Sequence, residues 1–303
     1  MRIVSLLPSA TEIVAALGAL HELVGVSHAC DYPPPVTRLP RLTSTHVDGA
    51  AAPDAIDRDV REAAERGMAL YTVDESLLAS LRPDVIVTQA LCDVCAVRET
   101  DVRAVASRLA PAPTVVTLSG TSIDGIFADI ERVGAAIGAA DEAEELIPGL
   151  RARLRSVHER LSTARAPRPR VAVLEWTDPV YTAGHWVPEM VHRAGGLEVL
   201  AKPGEHSRAI ALADVEAQSP EMLVFAPCGY GLERATREAE AVLARAEWRW
   251  ARDLATWVID ANALASRPGP RVVEGVEVLA SVMHPGLFGA PASDRARRIQ
   301  ARL

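Results

Sequence analysis

The chain has 303 residues, of which 49% are hydrophobic and 24% are charged, so it holds enough apolar material for two ordinary hydrophobic cores or one large one. Its 40 acidic residues outnumber its 32 basic residues and give a formal net charge of -8, which argues against nucleic acid or an anionic membrane as the natural partner. A small molecule or another protein is the better expectation.

The N-terminal sequence bears on the expected location. A secretory signal needs an uninterrupted apolar core, yet Glu12 interrupts the first apolar stretch and His21 follows soon after. Cys30 could carry a lipid anchor, but Ser27, three positions before it, is not aliphatic. No apolar run reaches the length of a membrane span. The sequence therefore predicts a cytoplasmic protein, whose cysteines stay reduced unless they bind a metal or take part in redox chemistry.

The first part of the chain alternates between two periodicities. Short apolar runs predict strands at 2–6, 23–26, 85–88 and 114–118. Helical patterns follow at 8–20, at 55–66, in a short helix that Asp74 is expected to cap, and at 98–109. Ser9 and Glu12 are spaced as a capping box, which places Ser9 at the N-terminus of the first helix. Strands that alternate with helices in this way predict a parallel sheet with right-handed crossovers.

The pattern changes in the middle of the chain. Residues 121–164 are almost entirely helical in period, with Pro148 expected to kink the helix or to begin a new one. Alternation then resumes, with strands at 170–174, 222–225 and 257–259 and helices at 187–194, 232–244 and 272–283. The sequence thus predicts an α/β fold of two lobes with parallel sheets, 1–120 and 166–303, joined by a long backbone helix over 121–165, with a ligand cleft between the lobes.

Chemistry-bearing side chains are concentrated just after the predicted strands. Ligands of open α/β sheets bind beyond the carboxyl ends of the strands. All four cysteines and five of the nine tryptophans and tyrosines fall there, and aromatic walls with a few polar groups are typical of small-molecule pockets. The candidate ligand-binding residues are Pro8, Ser9, His28, Asp31, Tyr32, Asp93, Glu175, Trp176, Tyr181, His185, Trp186, Gly229, Tyr230 and Arg267.

Several motifs resemble a known family. The opening RIVSLLPSATE at 2–12 resembles that of the helical-backbone metal-chelate receptors, or class III periplasmic-binding-protein-like family. The motifs HACDYP, LCDVC, APCGY and RPGPR, which begin at residues 28, 91, 226 and 267, resemble a signal-less subgroup of cobalamin-binding proteins. The resemblance implies two lobes that close only slightly on a corrinoid, haem or ferric siderophore, with an ABC transporter permease as a possible partner.

The leading hypothesis is therefore non-enzymatic binding of a metal-chelate cofactor, cobalamin or another corrinoid first, in the cleft. No catalytic residue is assigned, because the sequence lacks a Ser-His-Asp order, a phosphate loop and a dinucleotide fingerprint. A further alternative is a partner-binding module that has lost its ligand.

The cysteines suggest a second function. Cys92 and Cys95 form a C-x-x-C pair, and together with Cys30 and Cys228 they could complete a four-thiolate site for zinc or an iron-sulfur cluster. The chain would then be a cytoplasmic metal or iron-sulfur protein, or an enzyme. Two alternatives stay open: the cysteines are small buried hydrophobes, or Cys92 and Cys95 form a reversible disulfide.

Individual candidates each have two interpretations. Ser9 at a helix N-terminus could bind an anionic or carbonyl group, or serve only as an N-cap. His28 and His185 could ligate a metal, or hydrogen-bond to loop backbone. Arg267 could hold a carboxylate or phosphate, or lie in a solvated turn.

The candidates between 175 and 186 are also ambiguous. Glu175 could bind a cationic group or lie beside a metal. Trp176 and Trp186 are interpreted as walls of the cleft, with ordinary packing as the alternative.

Overall fold

The computed structural model describes residues 1–91 and 97–300. The chain divides into two compact units, the first made of 1–120 with 124–149 and the second of 121–123 with 150–303. None of the helices in the described ranges combines the length and the hydrophobicity that a membrane span requires.

The first unit is built on a four-stranded parallel sheet. Its strands are β1 (Ile3–Ser5), β2 (Leu23–Val26), β5 (Val85–Gln89) and β6 (Thr114–Leu118), in the spatial order β2-β1-β5-β6. A small antiparallel pair is formed by β3 (Thr43–Thr45) and β4 (Tyr71–Val73), which the sequence did not predict. Helices α1 (Pro8–Ala16), α2 (Pro53–Glu65), α3 (Glu75–Leu81) and α4 (Glu99–Ala106) belong to the same unit. The predicted parallel sheet is confirmed.

Continuous apolar strands explain the core of this unit. Residues of β1 and β5 are fully enclosed, as expected for parallel strands covered on both faces. The core cluster consists of Val4, Leu6, Leu42, Leu78, Ile86, Val97, Val102, Val105 and Ala106. At the start of α3, the Asp74 carboxylate accepts a hydrogen bond from the Leu77 N–H at 2.8 Å, which confirms the predicted cap.

Helix α1 starts differently from the expectation. Its N-cap is Leu7, with Pro8 at the first helical position and no side-chain capping bond, so the Ser9–Glu12 capping box is wrong. The physical reason is the ring of Pro8, whose fixed φ suits the first helical position and starts the helix one residue before Ser9.

The long helix expected over 121–165 is two helices. They are α5 (Ile123–Ile137) and α6 (Ala140–Thr163), and Pro148 lies inside α6. The break falls at Gly138, whose φ of 71° is left-handed and ends α5, so neither the single helix nor the boundary at Pro148 was right. The predicted limits of the lobes at 120 and 165 remain predictions.

The second unit contains a six-stranded mixed sheet. Its strands are β7 (Arg170–Thr177), β8 (Val180–Thr182), β9 (Leu197–Glu198), β10 (Met222–Phe225), β11 (Ala255–Ile259) and β12 (Ala296–Ile299). The order is β12-β11-β10-β7-β8, with β9 pairing with β7. Strands β7, β9, β10 and β11 are parallel, whereas β8 and β12 are antiparallel to their neighbours, so the parallel sheet expected here has antiparallel edges.

Besides the part of α6 that it contains, the second unit has in its described residues three α-helices that the helical periodicity predicted and three that it did not. They are α7 (Val187–Arg193), α8 (Leu212–Ala217), α9 (Leu232–Leu243), α10 (Ala261–Leu264), α11 (Val272–Met283) and α12 (Pro285–Phe288). Helices α7, α9 and α11 bury apolar stripes, which is why the sequence predicted them closely.

Candidate functional site

Parallel pairing brings two candidate segments together in the second unit. Strands β7 and β10 are neighbours in register from Met222 opposite Val171 to Phe225 opposite Leu174. Their carboxyl ends therefore meet at one edge of the sheet, and the Cys228 N–H donates to the Glu175 carbonyl oxygen at 2.9 Å. We call Glu175, Trp176, Cys228 and Tyr230 the strand-end cluster.

Glu175 has an unusual protonation state. Burial, followed by the neighbouring Cys228 thiol, raises the pKa of Glu175 to about 8. The Gly184 N–H donates to its Oε1 at 3.0 Å and acts in the opposite direction by favouring the ionised form. The carboxyl is thus mostly protonated at neutral pH and can donate a hydrogen bond. A cation-binding role for Glu175 has no electrostatic support.

The two aromatic side chains of the strand-end cluster contact each other, and Trp176 is partly exposed whereas Tyr230 is 5% exposed. The ring centroids of Trp176 and Tyr230 are 5.1 Å apart at an interplanar angle of 56°. The Arg234 guanidinium carbon lies 3.8 Å from the centroid of the Tyr230 ring, within cation–π range. Burial raises the pKa of Tyr230 to about 12, so its hydroxyl stays neutral.

The turn after β10 carries Cys228, the remaining residue of the strand-end cluster. Gly229 has φ 75°, a conformation that disfavours a side chain, and its N–H donates to the Ser266 Oγ at 3.0 Å. This bond leaves Cys228 exposed at the tip of the turn. Arg267 follows Ser266 and is 5% exposed, with its guanidinium donating to the Asn262 Oδ1 at 2.8 Å. Arg267 therefore does not lie in a solvated turn.

The hairpin after Glu175 carries three further candidates. Tyr181 in β8 is partly buried and pairs with Trp176 across the antiparallel ladder. Trp186 is only 7% exposed, and its indole N–H donates to the Ala265 carbonyl oxygen at 2.8 Å. Such a buried indole packs inside the unit, so the structure does not support the interpretation of Trp186 as a cleft wall. His185 is partly exposed and lies 3.1 Å from a second histidine, His206.

In the first unit, β1 and α1 place Pro8 and Ser9 at a strand end, as predicted. Pro8 is partly exposed, whereas Ser9 is 2% exposed and its Oγ has no hydrogen-bond partner within the described ranges. The serine does not cap the helix, which leaves the backbone N–H groups of the first turn without that acceptor.

The loop after β2 holds His28 rigidly. Its backbone N–H donates to the Thr43 Oγ1 at 3.0 Å, and its Nδ1 is 2.7 Å from the same oxygen. The ring stacks on Tyr71 with centroids 5.7 Å apart. Desolvation of the ring, followed by the charge of Arg41, lowers the pKa of His28, so the imidazole is neutral. Asp31 is exposed further along the loop.

Tyr32 is 44% exposed, which gives this loop a large aromatic surface. An exposed aromatic ring is available to a ligand or a partner, whereas the buried Cys30 two residues earlier is not.

The cysteines do not support the four-thiolate site. Cys30 is 1% exposed and its Sγ lies 3.1 Å from the Thr11 Oγ1, which in turn donates to the Ser5 Oγ at 2.8 Å. This matches the alternative of a small buried side chain. Cys92, Asp93 and Cys95 lie outside the described residues. Within the described ranges, no group of three or more His, Cys, Asp and Glu side chains could hold a metal ion, so zinc and iron-sulfur binding through four cysteines has no support.

Sequence reasoning missed His206 and Arg234. His206 belongs to the loop 201–211, which carries no periodic pattern, and Arg234 looks like an ordinary surface residue of α9. Only the fold brings His206 to His185 and Arg234 to the Tyr230 ring. The sequence pointed to this loop only through His185, which is followed directly by Trp186.

The comparisons with known proteins cover most of the chain. A model of the periplasmic binding protein family matches residues 3–251. An uncharacterised ABC transporter substrate-binding lipoprotein of Bacillus subtilis is 25% identical in a 301-residue alignment that covers 95% of this chain and 81% of that protein. A vitamin B12-binding protein of Vibrio cholerae is 21% identical over 276 residues, 91% of this chain and 86% of that protein.

A solved structure supports the same fold. The periplasmic heme-binding protein from Pseudomonas aeruginosa superposes with a TM-score of 0.74 at 20% identity, covering 100% of this chain and 99% of that chain. At this identity the likeness establishes the fold of two α/β lobes and no ligand.

These findings overturn the predicted cytoplasmic location. The matched family is periplasmic, and the relatives include a lipoprotein and periplasmic proteins, which points to a location outside the cytoplasm. The prediction of a cytoplasmic location was wrong because it rested on a short N-terminal pattern, which is weaker evidence than similarity along the whole chain. With the family model matching most of its length, the chain belongs to the periplasmic binding protein family.

Proposed function

We propose that the chain is the substrate-binding component of an ABC importer and that its ligand is a corrinoid. The family and the names of two relatives, one an ABC transporter substrate-binding lipoprotein and one a vitamin B12-binding protein, support this assignment. The transporter permease is then the protein partner. The position of the ligand between the two lobes stays a prediction from the sequence.

The strand-end cluster is the observation that favours a corrinoid over other metal chelates. Its partly exposed Trp176 ring offers an apolar surface that the buried Tyr230 ring supports from behind, and Glu175 of the same cluster is a neutral hydrogen-bond donor at pH 7. A corrin ring carries neutral amide side chains whose carbonyl oxygens accept hydrogen bonds. Haem carries anionic propionates and most ferric siderophores are anionic, and such groups are better matched by a cation. The cation at this cluster, Arg234, lies over the Tyr230 ring and 3.9 Å from the Glu238 carboxylate, so its charge is already engaged within the protein.

Calorimetric titration tests the assignment. Cyanocobalamin, dicyanocobinamide and haemin are titrated into the full chain, and we expect saturable one-to-one binding of both corrinoids. The variant Trp176→Ala removes the apolar surface and should weaken corrinoid binding at least about tenfold, which corresponds to about 1.4 kcal/mol. Trp250→Ala is the matched control, because Trp250 lies in the 3-10 helix Ala246–Ala251 outside the strand-end cluster.

The pH dependence of binding separates the carboxyl from the rings. The parent protein should lose corrinoid affinity as the pH rises above about 8, where Glu175 ionises and stops donating. Glu175→Gln keeps a neutral donor at every pH, so its affinity should stay constant over that range. If neither corrinoid binds, or if haemin alone binds, the corrinoid assignment is wrong while the family assignment is unaffected.

A further inference from the structure

Two histidines of the second unit have the geometry of a chelating pair. The Nε2 of His185 lies 3.1 Å from the Nδ1 of His206, and the ring planes meet at 84°. Two metal–imidazole bonds of about 2.0–2.1 Å enclose an angle of roughly 98° when their nitrogens are 3.1 Å apart. This angle lies between the octahedral and tetrahedral values, so one ion can bind both rings.

The backbone around His185 keeps its ring in place. His185 has φ 53°, a left-handed conformation that is uncommon for a residue with a side chain. Its N–H donates to the Glu205 carbonyl oxygen at 2.6 Å, and its own carbonyl accepts from the Gly204 N–H at 2.8 Å. The same two bonds tie the loop that carries His206 to His185. Strained backbone that is held by its surroundings in this way is concentrated at functional positions.

The second ring provides access from solvent. His206 is exposed, so an ion can reach the pair, and a small side-chain rotation directs its lone pair at an ion shared with His185.

We propose that His185 and His206 chelate a divalent first-row transition-metal ion such as Zn²⁺ or Ni²⁺, with water completing the coordination shell. Imidazole suits these ions, and two protein ligands give a site of modest affinity that loads from solution. The proposal concerns a bare ion and does not rest on corrinoid binding, so either can fail without the other.

Zinc titration by calorimetry tests the pair in the full chain, under reducing and oxygen-free conditions. We expect one Zn²⁺ per chain, and at least about tenfold weaker binding in both His206→Ala and His185→Asn. Asparagine tolerates the left-handed backbone of His185, so this variant keeps the loop conformation. His46→Ala, at an exposed histidine of the first unit, is the matched control and should bind as the parent does.

Cobalt absorption distinguishes the histidine pair from cysteine ligands. Co²⁺ bound by imidazole and water gives only weak visible bands, whereas thiolate ligands add an intense near-ultraviolet band. Circular dichroism verifies that both variants are folded. The proposal is refuted if both histidine variants bind Zn²⁺ like the parent, or if the parent shows the thiolate band. A hydrogen-bonded pair without metal affinity would give no Zn²⁺ binding that depends on the histidines.

Discussion

The protonation of Glu175 leads to a stability prediction that needs no ligand. Its pKa is about 8 in the folded protein against an ordinary value of 4.5, so the folded state holds a proton that the unfolded chain releases. Between those two values the folded state binds more protons than the unfolded state, and its stability falls as the pH rises. Replacing Glu175 by glutamine removes this contribution.

The size of the change in unfolding free energy follows from the two pKa values of Glu175. Raising the pH from about 6 to about 8 should cost the parent roughly 2 kcal/mol of unfolding free energy through Glu175 alone, a cost that Glu175→Gln lacks. Burial also raises the pKa of Glu198 to about 7, but this second carboxyl is present in both proteins and is the smallest of the causes that raise the pKa of Glu175, so the comparison reports mainly on Glu175.

Urea unfolding followed by tryptophan fluorescence is the assay. All five tryptophans, from Trp176 to Trp257, lie in the second unit, so the signal reports on the unit that contains Glu175. Glu216→Gln, which changes an exposed carboxyl of the same unit, is the matched control and should follow the parent. Equal pH dependence in the parent and in Glu175→Gln would show that the pKa of Glu175 is not raised, and the donor role proposed for it would fail with it.

Two further predictions concern the first unit and are measured by urea unfolding followed by circular dichroism. Gly120→Ala should destabilise the protein by about 1–3 kcal/mol, because the added Cβ would lie 2.5 Å from the Gly125 backbone carbonyl carbon. The control is Gly49→Ala, whose added Cβ has nothing within 4 Å, and equal stability of the two variants would contradict the packing argument. Asp74→Ala should cost about 1 kcal/mol by removing the acceptor of the Leu77 N–H, whereas an unchanged midpoint would mean that this capping bond contributes nothing.

The regular elements were largely readable from the sequence. The strands Leu23–Val26, Thr114–Leu118 and Met222–Phe225 have the predicted limits, and so does helix Val272–Met283. These segments are short apolar runs or amphipathic stripes, in which local periodicity and burial agree. The antiparallel edge strand Ala296–Ile299 was missed because its sequence, rich in arginine, has no apolar run and is a strand only through pairing with β11.

The candidate site was readable only in part. Glu175, Trp176 and Tyr230 were predicted because parallel topology brings the carboxyl ends of neighbouring strands to one edge, although Glu175 and Trp176 lie in the last residues of β7 and not after it. The position of a residue in the sequence does not show whether its side chain is buried. Cys30 and Trp186 were therefore assigned to a ligand site although both are buried in their own units. His206 could not be found at all, since its partner His185 is 21 residues away, with helix α7 and strand β9 between them.

The sequence by itself determined the alternation of strands and helices, the family motifs and the segments that carry chemistry. These properties depend only on hydrophobic periodicity and turn residues, which act over a few positions along the chain. Only the tertiary structure decided that Glu175 is neutral, that Cys30 is buried beside Thr11 and that His185 meets His206. Protonation, burial and ring contacts depend on atoms that are distant along the chain, and only packing brings those atoms together.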